Sequence, residues 1–173
     1  MNCLMNFIWL IYVYLKWPQL SIHHVIYNDV SFNFGGKEMI ENFNGIFYLI
    51  IFLVILAMNS FYGFNCLFKT QKFLEKYEVD ISASFFCRFA GGVIMAAVLM
   101  QLYILFRGTE ATWAFFNFMF FMMTLIAGAS FYGFEIDKLG LTKGSSREGY
   151  ISTGVLAILW AILSFGLADK IYI

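Results

Sequence analysis

Residues 45–68 read GIFYLIIFLVILAMNSFYGFNCLF and carry no charged side chain. A helix that crosses the hydrocarbon layer of a bilayer, roughly 30 Å thick, needs about 20 predominantly apolar residues. This stretch is long enough and apolar enough to do so. It therefore predicts a transmembrane helix, and it sets the class of the whole fold.

Three further runs share this character, at residues 82–106, 111–134 and 150–168. A fifth run, residues 2–16, is short for a span. A cleaved signal peptide is the alternative, but no basic residue precedes its apolar part and no small-residue cleavage site follows it. We therefore predict an all-α integral membrane protein with a bundle of about five transmembrane helices. Residues 1–173 form one membrane domain in this interpretation, with an outer loop at 17–44 and cytoplasmic loops at 69–81 and 135–149.

Composition supports the membrane class and excludes others. Of the 173 residues, 61% are hydrophobic, 21% aromatic and 13% charged, whereas about 25% are charged in soluble domains. Eleven Lys and Arg residues balance eleven Asp and Glu residues, so no strong field exists to attract nucleic acid. A single proline and the lack of a Ser/Gly-rich stretch argue against a linker to a second, soluble domain.

Basic residues are concentrated in alternate connections. They are Lys69, Lys72 and Lys76 in the first predicted cytoplasmic loop and Lys138, Lys143 and Arg147 in the second. The positive-inside rule places both loops in the cytoplasm, with the N-terminus inside and the C-terminus outside. A bacterial plasma membrane is the expected location, and an organelle membrane is the alternative.

The outer loop predicts local structure of its own. Residues 30–34 alternate apolar and polar side chains between turn residues, which predicts a β-hairpin-like strand, and a short helix is expected at 37–43. His23 and His24, the chain's two histidines, are the candidates for a metal site. Adjacent strand residues point to opposite faces, so each could serve only as one ligand in a site shared with a partner. No metal site within the chain is predicted.

The pentapeptide SFYGF occurs twice, at residues 60–64 and 130–134. Each copy ends one span and is followed by a charged loop and another span. This pattern predicts a parallel duplication of a helical hairpin, and a chance match between aromatic-rich segments is the alternative. If the hairpins are duplicated, they are expected to dock through equivalent surfaces.

Several residues are predicted to anchor or pack the helices. Tyr62 and Tyr132 fall where an aromatic ring can lie at the membrane interface with its hydroxyl in water. Small or polar residues four positions apart allow neighbouring helices to approach closely. Such groups are Asn59 with Gly63, Gly92 with Ala96, Ala129 with Gly133, and Thr153 with Ala157 and Ala161.

The helix at 111–134 is apolar on every side, with Phe and Met crowded between residues 115 and 123. Such a helix faces lipid, partner helices or both. A bound lipid or hydrophobic pigment is one interpretation of this surface, and ordinary lipid-facing packing is the other. No cofactor is predicted.

Polar groups within the predicted spans are few. Arg88 is close enough to the cytoplasmic end to extend its charge to the headgroups. Gln101 and Asn117 can join helices through amide hydrogen bonds but cannot carry protons, so a proton-coupled pump is disfavoured. At the outer turn, Gly108 is expected to end one helix and Thr109 to cap the next.

The three cysteines, Cys3, Cys66 and Cys87, all fall on the predicted cytoplasmic side. That side is reducing, so no structural disulfide is expected. Without a C-x-x-C pair or a nearby histidine, they are interpreted as small buried hydrophobic residues.

Three functional classes follow from these patterns. A noncatalytic accessory or structural subunit of a larger membrane complex fits the aromatic-rich helices and small-residue ridges best, with other membrane subunits, further copies of the chain and lipids as its partners. A small carrier or channel for a neutral or lipophilic molecule is the alternative, and it predicts a cavity near Asn59, Gln101 and Asn117. An enzyme is not expected, because no cluster of catalytic side chains is apparent.

Overall fold

The computed structural model describes residues 36–138 and 147–173, and within these ranges all regular structure is helical. All of these residues belong to one compact unit of the chain. The helices are α1 (Gly36–Asn42), α2 (Ile46–Phe68), α3 (Thr70–Lys76), a 3₁₀ turn (Ile81–Ala83), α4 (Ser84–Arg107), α5 (Trp113–Phe131) continued by a π-helix (Tyr132–Asp137), α6 (Glu148–Gly166) and α7 (Ala168–Ile171).

Four of these segments are long and apolar enough to cross a membrane: Ile46–Phe68, Ile81–Arg107, Trp113–Asp137 and Glu148–Gly166. They match the four predicted runs to within a few residues, so the prediction of four helices long and apolar enough to span a membrane is confirmed. The short helix expected at 37–43 is also confirmed, as α1. The predicted helix at 2–16, the β-hairpin-like strand, Cys3, His23 and His24 lie outside the described residues.

The spans pack as two helical pairs. Helix α4 packs along α2, and α6 packs along α5, while a smaller contact between α2 and α6 joins the pairs. In each pair the second helix returns antiparallel to the first, so the topology is that of two hairpins side by side. We call the end with residues 107–112 the turn end and the end with Lys69, Lys76 and Arg147 the lysine-rich end.

The hydrophobic core lies toward the turn end. Its centre is Trp160, whose ring meets those of Phe52, Phe115 and Phe116 edge to face at centroid distances of 6.5, 5.7 and 5.6 Å. Edge-to-face pairs of this kind contribute about 0.5–1.5 kcal/mol each beyond burial. Core burial in α5 stops at Met123, so the lysine-rich half of that helix packs mainly on α6.

The turn between α4 and α5 explains why α4 stops where it does. Gly108 has φ +102°, a conformation that favours glycine, and its N–H bonds the Ile104 carbonyl at 2.8 Å. The predicted glycine stop is therefore confirmed. The predicted cap at Thr109 is wrong, because α5 begins only at Trp113 and the Thr109 hydroxyl instead donates to the Asn42 carbonyl of α1.

The lysine-rich end contains more structure than the predicted loops. Helix α3 occupies much of the predicted loop at 69–81, and the π-helix extends into the loop at 135–149. Hydrogen bonds from Ser82 to Asp80 lower the pKa of that carboxyl. This interaction therefore stabilises the fold above the ordinary aspartate pKa and is lost as pH falls through the lowered value.

An ion pair joins the two hairpins at the lysine-rich end. Lys76 Nζ lies 3.2 Å from Glu148 Oε2, and this bond raises the pKa of Lys76. Its contribution to stability is present below the ordinary lysine pKa and is lost as pH rises through the raised value. Both side chains are largely exposed to solvent, so the pair contributes little to the free energy of unfolding.

Candidate functional site

Two glycines allow α2 and α4 to approach closely. A Cβ atom added at Gly63 would lie 2.9 Å from Met95 Sδ. One added at Gly91 would lie 2.8 Å from Cys66 Cβ and 3.2 Å from the backbone nitrogen of Leu67. The hairpin therefore depends on the missing side chains at both positions.

Next to this contact lies a buried amide pair. Asn59, which the sequence predicts to lie at a helix interface with Gly63, donates from Nδ2 to Gln101 Oε1 at 3.0 Å. Asn59 is 2% exposed and Gln101 is 0% exposed. The Nε2 atom of Gln101 has no hydrogen-bond partner in the described part of the chain. The pair thus joins α2 to α4 inside the apolar layer, with one donor left unpaired.

A double-mutant cycle should show that removing one amide of this pair costs more stability than removing the second amide afterwards. Asn59→Leu and Gln101→Leu alone each leave one buried amide without its partner, and such a group costs about 1–3 kcal/mol. We expect the N59L/Q101L protein to be more stable than the sum of the single effects predicts, by about 0.6 kcal/mol and at most about 1.7 kcal/mol, the average and the maximum measured for hydrogen bonds between membrane helices. Unfolding in mixed detergent micelles measures all four proteins, and strictly additive effects would contradict the pairing.

Asn117 lies away from this pair. It sits one turn into α5, where its amide exchanges hydrogen bonds with the Tyr172 hydroxyl at 2.8 and 3.1 Å. The Tyr172 ring also stacks on Trp113 at a centroid distance of 6.2 Å. Asn117 therefore secures the C-terminal residues to α5 at the turn end.

Arg88 is fixed at the lysine-rich end. Its Nε atom donates to Thr70 Oγ1 at 3.3 Å, and the Thr70 hydroxyl in turn donates to the Cys66 carbonyl at 2.6 Å. These bonds join the first turns of α4 to the junction of α2 and α3. Tyr62 is nearby, and its ring meets Phe73 of α3 edge to face at 5.0 Å.

The second SFYGF copy lies in a different environment from the first. A Cβ at Gly133 would meet nothing within 4 Å, and Ala129 and Tyr132 are exposed. Here Phe131 and Phe134 contact the Tyr150 ring of α6 at 6.2 and 5.5 Å. The glycine of the first copy thus lies in a close helix contact, whereas the glycine of the second copy does not. The expectation of equivalent docking surfaces is wrong at these positions.

Of the two remaining small-residue ridges predicted from the sequence, one is half-buried and the other is exposed. On α6, Thr153, Ala157 and Ala161 are half-buried, and Ala157 packs against the core. On α4, Gly92 and Ala96 are exposed, and a Cβ at Gly92 would meet nothing within 4 Å. Within this chain they do not form the α2–α4 contact, which is made by the preceding glycine, Gly91.

One feature of the sequence favours Gly91 over Gly92 as the glycine that contacts α2. Gln101 is the polar residue that marks the buried face of α4, and Gly92 lies about two and a half helical turns before it, on the opposite side. A second missed contact is that of Gly166 with the ring of Tyr48, which leaves no room for a side chain at position 166. No sequence pattern indicated that contact.

Candidate ligand groups are sparse in the part of the chain that the structure describes. No three His, Cys, Asp or Glu side chains among those residues could hold a metal ion together. Cys66 and Cys87 are free thiols. One cleft at the turn end is lined by Ile40, Glu41, Asn44, Gly45 and Lys170, and one at the lysine-rich end is lined by Phe68, Lys69, Thr70, Gln71, Lys72 and Arg88.

No protein-family model matches this chain, and neither a curated protein nor a solved structure matches it. Its function is therefore inferred from its own geometry.

Proposed function

We propose that this chain is a noncatalytic subunit of a larger membrane assembly and that its partner is a membrane helix docked on α4. Only 17–33% of the residues in each apolar span window are buried within the chain. The remaining helix surface has to be covered by lipid or by protein. Lipid alone would suffice for large apolar side chains, so a protein partner is supported only where the surface is shaped for a helix.

The observation that carries the proposal is a groove on the exposed face of α4. Gly92 and Ala96 lie one turn apart on this face, and the exposed side chains of Phe89 and Leu99 border them on either side along the helix. Small residues at this spacing let two helix backbones approach and gain van der Waals contact, which is what holds helices together in lipid. We call residues 89, 92, 96 and 99 the α4 groove.

The carrier alternative has less support. It requires a cavity near Asn59, Gln101 and Asn117, but Asn59 and Gln101 bond to each other in a closed interface. Asn117 is engaged with Tyr172 at the turn end. The three amides that a carrier would use therefore do not surround a common space.

Native mass spectrometry of the protein extracted gently from its own membrane tests the proposal. We expect a stoichiometric complex larger than one chain, containing either further copies or a second protein. A stable monomer that carries a reproducible small molecule would favour the carrier instead. A stable monomer without one would also contradict the subunit proposal.

We also propose a bacterial plasma membrane with the N-terminus in the cytoplasm and the C-terminus outside. The basis is the clustering of Lys69, Lys72, Lys76, Lys138 and Arg147 at one end of the bundle, because cytoplasmic ends carry the excess of Lys and Arg.

Reporter fusions test this orientation. Alkaline phosphatase, which is active only outside the cytoplasm, should be active when fused after Ile173 and inactive when fused after Lys138. A fluorescent protein that matures only in the cytoplasm should give the opposite result. If the two fusion sites show the reverse pattern, the proposed orientation is wrong.

A further inference from the structure

A basic cleft opens at the lysine-rich end, between the end of α2, the start of α3 and the first turns of α4. It has a volume of about 400 Å³ and is lined by Phe68, Lys69, Thr70, Gln71, Lys72 and Arg88. Three of these six residues are cationic and none is acidic. The cleft therefore has the charge and the size for an anionic group.

The guanidinium of Arg88 is held in place at the cleft. Its Nε is bonded to Thr70 Oγ1, which leaves its Nη atoms as additional donors. A guanidinium fork held in this way suits the oxygens of a phosphate, which it can bind through two parallel hydrogen bonds. Lys69 Nζ lies 5.6 Å from the centroid of the Phe64 ring, so its position is also supported by the protein.

The carboxylate of Glu75 bonds to a lining residue of the cleft but to none of its cations. It accepts a hydrogen bond from Gln71 Nε2 at 3.0 Å. The ion pairs between described residues join Lys76 to Glu148 and Arg147 to Glu135, and neither includes a cation of the cleft. Within residues 36–138 and 147–173, Lys69, Lys72 and Arg88 thus take part in no ion pair.

The position of the cleft at the end of an apolar span indicates which kind of molecule carries the anionic group. Phe68 is the last residue of an apolar span, it is 70% exposed, and the cationic side chains begin immediately after it. Acyl chains therefore have an apolar surface to contact directly below the charges. Basic pockets at the cytoplasmic side of transmembrane helices attract anionic headgroups in the same way. We propose that the basic cleft binds the phosphate group of an anionic phospholipid.

Lipid titration of the full chain in a nonionic detergent tests this proposal, with native mass spectrometry counting bound lipid. Phosphatidylglycerol should bind with a defined stoichiometry and phosphatidylcholine more weakly. We expect about fivefold weaker phosphatidylglycerol binding for each cation removed in Lys69→Gln, Lys72→Gln and Arg88→Gln. Arg88→Lys should lose part of the affinity, because it keeps the charge but not the fork.

Lys138→Gln is the matched control, since Lys138 is an exposed lysine of the same end that does not line the cleft. It should bind phosphatidylglycerol as the wild type does. Equal loss in this variant, or unchanged binding in K69Q/K72Q, would overturn the proposal in favour of a general attraction by surface charge. Displacement of the lipid by millimolar inorganic phosphate would show that free phosphate is the ligand, and would overturn the lipid assignment. The elution profile of K69Q/K72Q checks that this variant is folded.

Discussion

Replacing Gly91 by alanine should destabilise the protein, whereas the same replacement at Gly92 should not. The new methyl group at position 91 would lie 2.8 Å from Cys66 Cβ and 3.2 Å from the backbone nitrogen of Leu67. Backbone cannot move aside as the end of a flexible side chain can, so α2 and α4 would have to separate. Overpacking of this kind costs about 1–3 kcal/mol.

Gly92→Ala is the matched control because both glycines lie in the same helix and gain the same helix propensity on substitution. The gain cancels when the two variants are compared, and the difference in free energy of unfolding reports the contact alone. Thermal unfolding in detergent, followed by tryptophan fluorescence, should rank G92A at or above the wild type and G91A below it. Equal stability of the two variants would contradict the close approach of α2 and α4.

The second large effect concerns assembly. Gly92→Leu should release the partner helix from the α4 groove while leaving the chain itself folded. A leucine there meets nothing within the chain, but it would hold a docked helix away. A packing cost of about 1–3 kcal/mol in the complex corresponds to about 5- to 150-fold weaker association.

Gly128→Leu provides the control for this experiment, since Gly128 is an exposed glycine on α5 with equally open space around it. Affinity purification of tagged variants from the native membrane, at equal expression, measures the partner recovered per chain. Recovery should fall for G92L and persist for G128L. If G92L retains its full complement of partner, the α4 groove is not the docking surface.

The spans were predictable because hydrophobic length alone identifies them. Residues 45–68 correspond to α2, which covers Ile46–Phe68, and the other three runs agree similarly. Details of the turns were harder to predict from the sequence. Thr109 resembles a helix cap in sequence, yet its hydroxyl is directed to the Asn42 carbonyl, a contact that depends on how α1 folds back onto the turn.

The packing faces were hard to predict for a physical reason. Apolar side chains lie on every face of helix α4, so hydrophobic periodicity does not separate the face toward α2 from the exposed face. The choice between Gly91 and Gly92 depends on a rotation of about 100°, which only Gln101 indicates. The hydrogen-bond partner of Asn117 could not be predicted, because Tyr172 lies far away in sequence.

The central claim is that α4 docks a membrane helix through its groove, and site-specific photocrosslinking in the native membrane tests it most directly. A photoreactive residue would replace Leu99, the large exposed residue that borders the groove, and in a second protein it would replace Ile158, an exposed residue of α6. We expect a discrete protein adduct of reproducible mass from position 99, and none of that mass from position 158. Lipid adducts alone from position 99 would contradict the proposed docking.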